Sequence, residues 1–392
     1  MRRGWQAKRL GDVATLQRGF DLPTQNRVAG EFPLVSSSGI SDTHHKCAVC
    51  GPGVVTGRSG SIGNVFFIEE DFWPLNTALY VKDFHGNDPR FVFHLLKKFD
   101  LQRFASGAGV PTLNRNFVHD ELVSVPPVPE QRRIVAILDE AFEAIAPVVA
   151  NAEKNLSNAG ELFEIYLNSV FSEKGEGWVE KPTAQIATKI GSGATPRGGQ
   201  ESYKSEGIPL IRSLNVHDRK FKYDDLAFLH DGQAEKLDNV IVQKGDVLLN
   251  ITGASVARCC QVPDDVLPAR VNQHVSIIRP IQSIVSPRFL EYALTAGPNK
   301  DRLLGVGEKG GSTRQAITKA EIQEFRLAYP PIDAQAVTTS RLDELSIETS
   351  RLENVYQQKL DSLAELKQAI LQKAFAGELT AQPEQFLREA VA

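Results

Sequence analysis

The sequence predicts an α+β protein with two similar mixed α/β modules and two long helices packed as an antiparallel coiled coil, related by an internal pseudo-twofold repeat. Three observations lead to this prediction. The chain has 392 residues, which is room for more than one domain. A proline-rich motif recurs at a fixed offset, and an apolar pattern of helical period follows each copy. We therefore expect the order module, helix, module, helix.

Composition excludes several classes of protein. With 42% hydrophobic and 23% charged residues, the chain is not expected to be disordered, collagen-like or a coiled coil throughout. The net charge of −4 argues against a polycationic nucleic-acid coat but is compatible with local basic faces. Four cysteines are too few for a disulfide framework. Since no run approaches ~18 apolar residues and no signal peptide is recognisable, we expect a cytoplasmic protein without a membrane partner.

The repeat is read from residues 125–131 (VPPVPEQ), which recur as residues 329–335 (YPPIDAQ) at an offset of 204. The offset continues without a gap for about forty residues, so that Phe171 matches Phe375. Upstream the copies drift, with Asn76 placed opposite Asn272 at an offset of 196. Drift of this kind is typical of diverged domains with loop insertions.

The first module is predicted at residues 1–127. It shows short strands between Gly, Pro and Ser turns, and its net charge is +2 up to residue 125. The glycine-rich turn 57–63 (GRSGSIG) carries small hydroxyls and exposed amides that suit phosphate oxygens. A second such stretch covers residues 106–115. Taken singly, each loop is more often a structural turn, but recurrence in both copies favours a shared ligand.

The central helix is predicted at residues 128–176, with Pro147 expected to kink or locally break it. Its apolar residues alternate steps of four and three, and polar Asn155 fills one heptad core position. The predicted stripe is Ile134, Leu138, Ala141, Ile145, Val148, Ala152, Ala159, Leu162 and Tyr166.

The second module is predicted at residues 177–331, with a net charge of +3 between residues 178 and 329. The turn 250–255 (NITGAS) corresponds to the first module's glycine-rich turn. A basic group surrounds a glycine loop further on, where Gln315 could pair with adenine and Arg314 with guanine or phosphate. That group is Lys300, Arg302, Lys309, Arg314 and Lys319.

The C-terminal helix and tail are predicted at residues 332–392, with Lys359 in the heptad position equivalent to Asn155. The predicted stripe is Leu342, Leu345, Thr349, Leu352, Tyr356, Leu363, Leu366 and Ile370. A helix of this length spans roughly 60 Å, more than the ~30 Å of a small domain, so the two long helices are expected to pack on each other. If both polar residues lie in that seam, changing them to leucine should raise thermal stability. The alternative is two unrelated surface helices.

Motifs of catalysis are missing from the sequence. We find no G-x-x-x-x-G-K-[ST] phosphate loop, no G-x-S-x-G elbow, no H-E-x-x-H, and no Asn-Pro-Pro-aromatic tetrapeptide of amino-methyltransferases. Residues 44–50 (HHKCAVC) offer a C-x2-C beside two histidines, but adjacent histidines point to opposite faces of an extended segment and no second pair closes a zinc site. We expect neither catalysis nor a metal.

The sequence resembles the specificity subunit of type I restriction-modification systems over essentially its whole length. No single motif is specific to this family, but the two sets of motifs, one in each half of the chain and in this order, are specific. The residues that carry the resemblance are Trp5 with 10–14 (LGDVA), 32–40 (FPLVSSSGI), 57–65 (GRSGSIGNV), 126–131 (PPVPEQ), 193–197 (GATPR), 208–213 (IPLIRS), 311–317 (GSTRQAI) and 330–335 (PPIDAQ). Two departures are Ala334 in place of the glutamate at Glu130, and a degenerate loop at 252–257.

The resemblance implies two target recognition domains that each read one part of a split DNA sequence, held on spacer helices. The helices would dock methyltransferase subunits, two in number, and restriction or translocase subunits are further partners. The chain itself would be non-catalytic and hold no cofactor, with S-adenosylmethionine, ATP and Mg²⁺ on the partner subunits. Double-stranded DNA is the expected ligand.

The loops and the resemblance together single out a set of polar residues for DNA binding. They are Arg18, Ser37, Ser38, Arg58, Ser59, Ser61, Asn76, Thr112, Asn114, Arg115, Thr195, Arg197, Arg212, Asn215, Asn250, Thr252, Asn272, Lys309, Arg314 and Gln315. One alternative function is a methyltransferase or nuclease with fused recognition domains, which the missing catalytic motifs disfavour. Another is a scaffold that binds only proteins, which the basic modules disfavour.

Overall fold

A computed structural model describes residues 4–107, 111–195, 203–305 and 316–380. The chain divides into two compact units, one formed by Met1–Glu153 with Gln357–Ala392 and the other by Lys154–Tyr356. Each unit combines one module with part of each long helix. The helices of the described ranges are too short or too polar to span a lipid bilayer.

The first module and the helix after it account for the elements up to Glu173. The helices are α1 (Pro89–Lys98), α2 (Arg115–His119) and the long α3 (Val128–Glu173). The strands are β1 (Gln6–Arg9), β2 (Thr15–Arg18), β3 (Phe32–Ser36), β4 (Gly39–His44), β5 (Gly53–Gly57), β6 (Val65–Ile68), β7 (Trp73–Pro74), β8 (Ala78–Asp83), β9 (Ala105–Ser106), β10 (Thr112–Leu113) and β11 (Leu122–Val125).

The second module and the last helix follow the same plan. The helices are α4 (Thr183–Ile186), α5 (Asp231–Ala234), α6 (Pro287–Thr295), α7 (Gly297–Leu304), α8 (Lys319–Glu324) and the long α9 (Ile332–Phe375). The strands are β12 (Val179–Pro182), β13 (Ala187–Ser192), β14 (Ile208–Ile211), β15 (Val216–His217), β16 (Lys220–Phe221), β17 (Ala227–Leu229), β18 (Ile241–Val242), β19 (Val247–Asn250), β20 (Cys259–Gln261), β21 (Ala269–Val271), β22 (Val275–Pro280) and β23 (Arg326–Tyr329).

The main sheets of the two modules correspond, except that the mixed sheet has three strands in the first module and a fourth strand, β18, in the second. An antiparallel sheet in the order β2-β8-β5-β6 corresponds to a sheet in the order β13-β22-β19-β20. A mixed sheet containing the parallel pair β3 and β7 corresponds to one containing the parallel pair β14 and β21. The pair β1 and β11 corresponds to β12 and β23. The predicted α+β architecture with an internal repeat is confirmed.

The central strands β5 and β19 are buried on both faces of their sheets. Every residue of β5 and every residue of β19 is buried, as their near-continuous apolar sequences predict. In the first unit, Val54 belongs to a core that also contains Leu138 of α3 and Leu371 of α9. In the second unit, Leu249 belongs to a core with Leu167 of α3 and Leu342 of α9. Each unit therefore joins the early part of one long helix to the late part of the other, as in an antiparallel pair.

Each module is fixed to a long helix by an aspartate, and the two aspartates are 204 residues apart. In the first unit, Asp139 of α3 accepts from Arg90 Nη1 at 3.1 Å and lies 2.9 Å from His94 Nε2. In the second unit, Asp343 of α9 accepts from Arg288 Nε at 2.8 Å and from the hydroxyl of Tyr292 at 2.6 Å. The attachment is thus duplicated together with the fold.

Aromatic contacts repeat in the same way. The Phe375 ring at the end of α9 lies 5.2 Å from Phe91 of α1, between ring centroids. In the second unit, Phe171 near the end of α3 lies 5.3 Å from Phe289 of α6. The sequence offset that matched Phe171 with Phe375 therefore marks a packing position.

The apolar stripes of the long helices differ from the predicted heptads. Asn155 and Lys359 are exposed, and Leu156 and Leu360 are the half-buried residues beside them. The prediction that the two polar residues lie in the helix seam is therefore wrong. The buried residues of α3 are Gln131, Ile134, Val135, Leu138, Ile145, Ala152, Ala159, Phe163, Leu167 and Phe171.

The physical reason is the period of the stripe. A heptad assumes 3.5 residues per turn, and a straight helix drifts by about 20° per heptad from that repeat. The buried positions of α3 instead follow a spacing of about 3.6 residues, the period of a straight helix. The heptad extrapolation therefore slips by one residue in the second half of α3, where Leu162 is exposed and Phe163 is buried, although Ala159 keeps its predicted buried position. Pro147 lies on an exposed face, and α3 continues through it as one helix, so of the two expected effects, a kink or a local break, the break does not occur.

Candidate nucleic-acid interface

In the first module, five chain segments meet beside the sheet of β2, β8, β5 and β6. The N–H of Arg58 donates to Thr77 O at 2.9 Å, and the N–H of Leu113 donates to Arg58 O at 2.7 Å. The N–H of Ser37 donates to Thr77 Oγ1 at 3.3 Å. These bonds join loops that are far apart in sequence. We call them the first site loops: residues 18–21, 36–39, 58–63, 76–77 and 112–115.

Two arginines share one hydrogen-bonded network on these loops. Arg18 Nη2 donates to Asp21 Oδ1 at 3.2 Å, and Asn76 Nδ2 donates to the same carboxylate oxygen. Arg58 Nη1 donates to the carbonyl of Asn76 at 3.1 Å. A guanidinium carries five N–H donors, so both arginines keep donors for a phosphate or a guanine. The structure thus brings together three residues that the sequence predicted separately.

The turn after β5 depends on its glycines. A Cβ at Gly57 would lie 1.9 Å from the carbonyl oxygen of Ser61, so no larger residue fits this close approach. Gly60 adopts a φ of +83°, in the left-handed region that favours glycine. Ser59 forms an antiparallel bridge with Thr112, which places both beside the turn. Ser38 is exposed at the neighbouring turn, with its hydroxyl 3.0 Å from that of Ser36.

The second module repeats the two backbone hydrogen bonds of this arrangement. The N–H of Ile251 donates to His274 O at 3.0 Å, and the N–H of Ile317 donates to Ile251 O at 2.8 Å. Thr252 forms an antiparallel bridge with Ala316, as Ser59 does with Thr112. We call the matching segments the second site loops: residues 192–195, 212–215, 252–258, 273–274 and 316–319. Ser59 of the glycine-rich turn therefore corresponds to Thr252, which agrees with the predicted correspondence of the two turns.

The predicted correspondence of Asn76 with Asn272 is corrected by one residue. The N–H of Ala78 donates to Leu75 O at 2.9 Å, and the N–H of Val275 donates to Asn272 O at 3.4 Å, so Asn272 occupies the position of Leu75. Asn76 therefore corresponds to Gln273. Both side chains bond to a site loop of their own module, Asn76 to Asp21 and Gln273 to Thr195. The alignment of the two modules in the loop before β22 therefore differs by one residue from the predicted alignment.

Three predicted asparagines serve the interior of the second module. Asn250 is fully buried, and its Nδ2 donates to Ser213 O at 2.8 Å. Asn215 is fully buried, and its Nδ2 donates to Lys222 O at 2.9 Å. Asn272 is buried, and its Oδ1 accepts the N–H two residues on at 3.0 Å. These side chains position the loops and are not exposed to a base, which corrects their assignment as DNA contacts.

A groove of about 610 Å³ runs between the second site loops and the chain at His217 and residues 222–225. Arg258 Nη1 lies 3.5 Å from Nδ1 of His217, and Thr252 Oγ1 lies 2.6 Å from Nδ1 of His274. Partial burial, together with the charges of Lys222 and Arg258, holds the pKa of His217 below its usual value. Asp224 and Asp225 also line the groove. Donors and acceptors are therefore mixed here, as readout of base edges requires.

Other residues that were predicted to bind DNA also form hydrogen bonds or ring contacts within their own module. Asn114 caps α2 by accepting from the N–H of Asn116 at 3.1 Å. Arg115 Nη1 donates to Leu16 O at 3.4 Å. The Arg212 guanidinium lies 5.3 Å from the centre of the Tyr203 ring and donates to a backbone carbonyl. Arg197, Lys309, Arg314 and Gln315 lie outside the described residues.

The His44 and Cys47 region is held by ordinary contacts. The buried His44 accepts the N–H of Val28 at Nδ1, 3.1 Å away. Cys47 Sγ lies 3.8 Å from a carboxylate oxygen of Asp71. In the part of the chain that the structure describes, no three His, Cys, Asp or Glu side chains are grouped so that they could hold a metal ion.

Sequence reasoning missed several polar residues of these surfaces. Asp21 holds Arg18 and Asn76, and it lies in no recognisable motif. His217, Lys222 and Arg258 line the groove although they come from three separate segments. Gln273 could have been found from the sequence, because it directly follows Asn272, the residue that the sequence alignment of the two modules predicts instead.

Comparison with known proteins adds a family match. A family model described as a type I restriction modification DNA specificity domain matches residues 2–147 and 175–362. The EcoBI specificity subunit of Escherichia coli is 22% identical over 328 residues, which cover 75% of this chain and 66% of that protein. The EcoKI specificity subunit of Escherichia coli K12 is 22% identical over 321 residues, which cover 76% and 66%. The chain thus spans about 66% of the length of these relatives.

Two solved structures are similar in fold. A chain from a study of complex assembly and conformational transition of the type I R-M system has a TM-score of 0.74 and 22% identity, covering 97% of this chain and 99% of that chain. The HsdS subunit from Thermoanaerobacter tengcongensis has a TM-score of 0.53 and 21% identity, covering 97% and 98%. The two-module fold with long helices is therefore a known one.

Proposed function

This chain belongs to the family of type I restriction modification DNA specificity domains, and from that membership we propose that it is the specificity subunit of a type I restriction-modification complex. It reads a split target in double-stranded DNA, one part with each module. The long helices dock two methyltransferase subunits, and restriction or translocase subunits are further partners. The chain itself is non-catalytic, and S-adenosylmethionine, ATP and Mg²⁺ belong to the partner subunits.

The observation that carries this proposal is the duplication of the site loops. The bonds from Leu113 to Arg58 and from Ile317 to Ile251 are equivalent, so each module supports a polar loop at the same place. The side chains on the loops differ, with Arg58 and Ser59 in one module and Thr252 in the other. A common frame with different polar side chains is what two different half-sites require.

The proposal predicts that specificity divides between the modules. Methylome sequencing of cells that carry the chain and its methyltransferase subunits gives the wild-type target. Replacing Arg58 with alanine should relax the sequence requirement in one half-site alone, and replacing Arg258 with alanine should relax it in the other. Each variant is the control for the other. Loss of both half-sites at once in both variants, with the protein still folded, would contradict this division.

A spacer role for the helices is tested in the same assay. One added heptad lengthens a helix by about 10.5 Å, which corresponds to roughly three base pairs at 3.4 Å each. Inserting a heptad at matched positions of α3 and α9 should widen the gap and leave both half-sites unchanged, although rotation of the DNA limits the tolerated gaps. A changed half-site at an unchanged gap would show that the helices read bases.

Catalysis by the chain is a separate test. The purified chain is incubated with S-adenosylmethionine and DNA, with and without the methyltransferase subunits. We expect methyl transfer only when the partner subunits are present. Transfer by the chain alone would favour the alternative of an enzyme with fused recognition domains.

A further inference from the structure

A second cavity of the second module has a charge pattern unlike that of the groove. Its volume is about 610 Å³, and it lies between β13, α8 and residues 239–240. Lys189 and Lys319 line it, and none of the described residues that line it is an aspartate or a glutamate. The groove beside His217 contains two aspartates. The cavity is therefore suited to an anion, whereas the groove is suited to groups that both donate and accept.

The equivalent position of the first module is filled by two side chains of α2. His119 Nε2 accepts the N–H of Leu16 at 2.8 Å, and Arg115 Nη1 donates to Leu16 O at 3.4 Å. Leu16 lies on β2, an edge strand of its sheet. The outward backbone groups of this edge are thus bonded within the module.

The second module has different residues at these positions. At the offset of 204, Lys319 replaces Arg115 and Gln323 replaces His119. Ile190 replaces Leu16, since Leu16 pairs with Val81 as Ile190 pairs with Ile278. No hydrogen bond joins Lys319 or Gln323 to the backbone of Ile190, although all three residues are described and line the cavity.

Neither lysine of the cavity has a carboxylate partner among the residues that the structure describes. Lys189 Nζ donates to the carbonyl of Asn239, which fixes its charge at the cavity wall. Among the described residues, neither Lys189 nor Lys319 forms an ion pair. The edge strand β13 also turns one row of backbone amides away from its sheet. Gly191 leaves open space where a Cβ would lie.

The cavity continues into the second site loops. Ser192 begins the loop that ends at Thr195, and Ile251 directly precedes Thr252. A ligand in the cavity is therefore beside any DNA that these loops bind. Lysine ammonium groups and backbone amides bind phosphate oxygens where no carboxylate competes for them. Such phosphate contacts carry no information about the bases.

We propose that this cavity, with Lys189 and Lys319, binds a phosphate of the DNA backbone next to the half-site that the second module reads. The inference rests on the proposed function. The first module closes the same position with Arg115 and His119, so the two half-sites differ in how they are anchored. The cavity supplies affinity and register, and the mixed groove supplies sequence discrimination.

The test is the salt dependence of DNA binding by the full chain, alone and with its methyltransferase subunits. Loss of one phosphate contact lowers the slope of log affinity against log salt by about 1. We expect Lys319→Gln to show this smaller slope and about fivefold weaker binding to duplex DNA at low salt. Lys319→Arg should keep the wild-type slope, and the double variant with Lys189→Gln should fall further. Lys181→Gln, an exposed lysine on β12, is the matched control.

The outcomes are distinguishable. Wild-type slopes in both Lys319→Gln and the double variant, while the wild-type chain binds DNA, would overturn the inference and leave the proposed function intact. Normal DNA binding with lost association of the methyltransferase subunits would assign the cavity to an extended peptide and also overturn it. If the wild-type chain and its complex bind no DNA, the proposed function fails and the inference fails with it.

Discussion

Gln131 and Gln335 hold the two Pro-Pro turns in the same way. The Nε2 of Gln131 donates to Pro126 O at 2.9 Å, and the Nε2 of Gln335 donates to Pro330 O at 2.9 Å. In each case Oε1 accepts, also at 2.9 Å, the N–H of the residue that caps the module's helix, α1 or α6. Both side chains are almost fully buried. The motif that revealed the repeat thus contains the amide that joins a long helix to its module.

Replacing either glutamine with leucine should destabilise its unit by about 3 kcal/mol. The change leaves a buried carbonyl and a buried N–H without partners, and each such group costs about 1–3 kcal/mol. Urea unfolding monitored by circular dichroism measures the loss. The control is Gln357→Leu, because Gln357 is exposed on α9. A loss in Gln131→Leu no greater than that of the control would refute this role.

Acid should weaken the first unit through His94. Burial lowers the pKa of the His94 imidazole, against the opposing effect of Asp139, so the folded-state pKa lies below the usual value of about 6.5. Between these two pKa values the unfolded chain binds more protons, and stability is therefore lost as pH falls below about 6.5. The buried Nδ1 has no hydrogen-bond partner, which agrees with a neutral ring.

The variant His94→Tyr copies the residue found at Tyr292 in the second unit and keeps a donor for Asp139. We expect it to reduce the slope of stability against pH between pH 5 and about 6.5. Burial also lowers the pKa values of His119 and His217, so the readout is the difference between variant and wild type. An unchanged slope would exclude His94 as the source.

Changing Asn155 and Lys359 to leucine should leave stability within about 0.5 kcal/mol of wild type, because both residues are exposed. In contrast, Ala159→Asp should cost about 3 kcal/mol or more, since Ala159 is buried in the stripe and an aspartate there has no partner. Thermal unfolding compares the variants. Stabilisation by several degrees in the double leucine variant would restore the heptad interpretation.

Asn250 and Arg58 should separate stability from DNA binding. Asn250→Ala removes buried bonds to Ser213 O and Val216 O and should lower stability by about 2 kcal/mol. Arg58→Ala removes one partly exposed bond and should leave the unfolding midpoint nearly unchanged, while weakening DNA binding by about 1–3 kcal/mol. Fluorescence anisotropy with duplex DNA supplies the second measurement. Equal effects of the two variants on unfolding would contradict the distinction.

Much of the fold could be predicted because the two copies of the repeat have apolar and proline residues at matching positions. The offset that links Phe171 to Phe375 also links Asp139 to Asp343, so the attachment of both modules follows from it. The register of the stripes could not be predicted in the same way. A straight helix drifts from the heptad by about 20° per heptad, so the drift passes half of the roughly 100° between neighbouring residues only after about three heptads, near Asn155.

The candidate site was harder to predict than the fold. The sequence alone does not tell whether a polar side chain beside a loop faces solvent or bonds to a buried carbonyl. Arg58 is an example of the first case, and Asn250 is an example of the second. The substitution of Lys319 for Arg115 is visible in the sequence. Its consequence depends on whether the side chain reaches the strand beside it, which only the three-dimensional arrangement shows.

The way the two units divide the chain has a consequence for protein synthesis. The second unit is one continuous stretch, Lys154–Tyr356, whereas the first needs residues after Gln357 that are made later. Phe91 finds its ring partner only when Phe375 has left the ribosome. The second unit can therefore be complete while the first still exposes part of its core. The module that is translated first is the one that finishes folding last, and it depends longest on protection from aggregation.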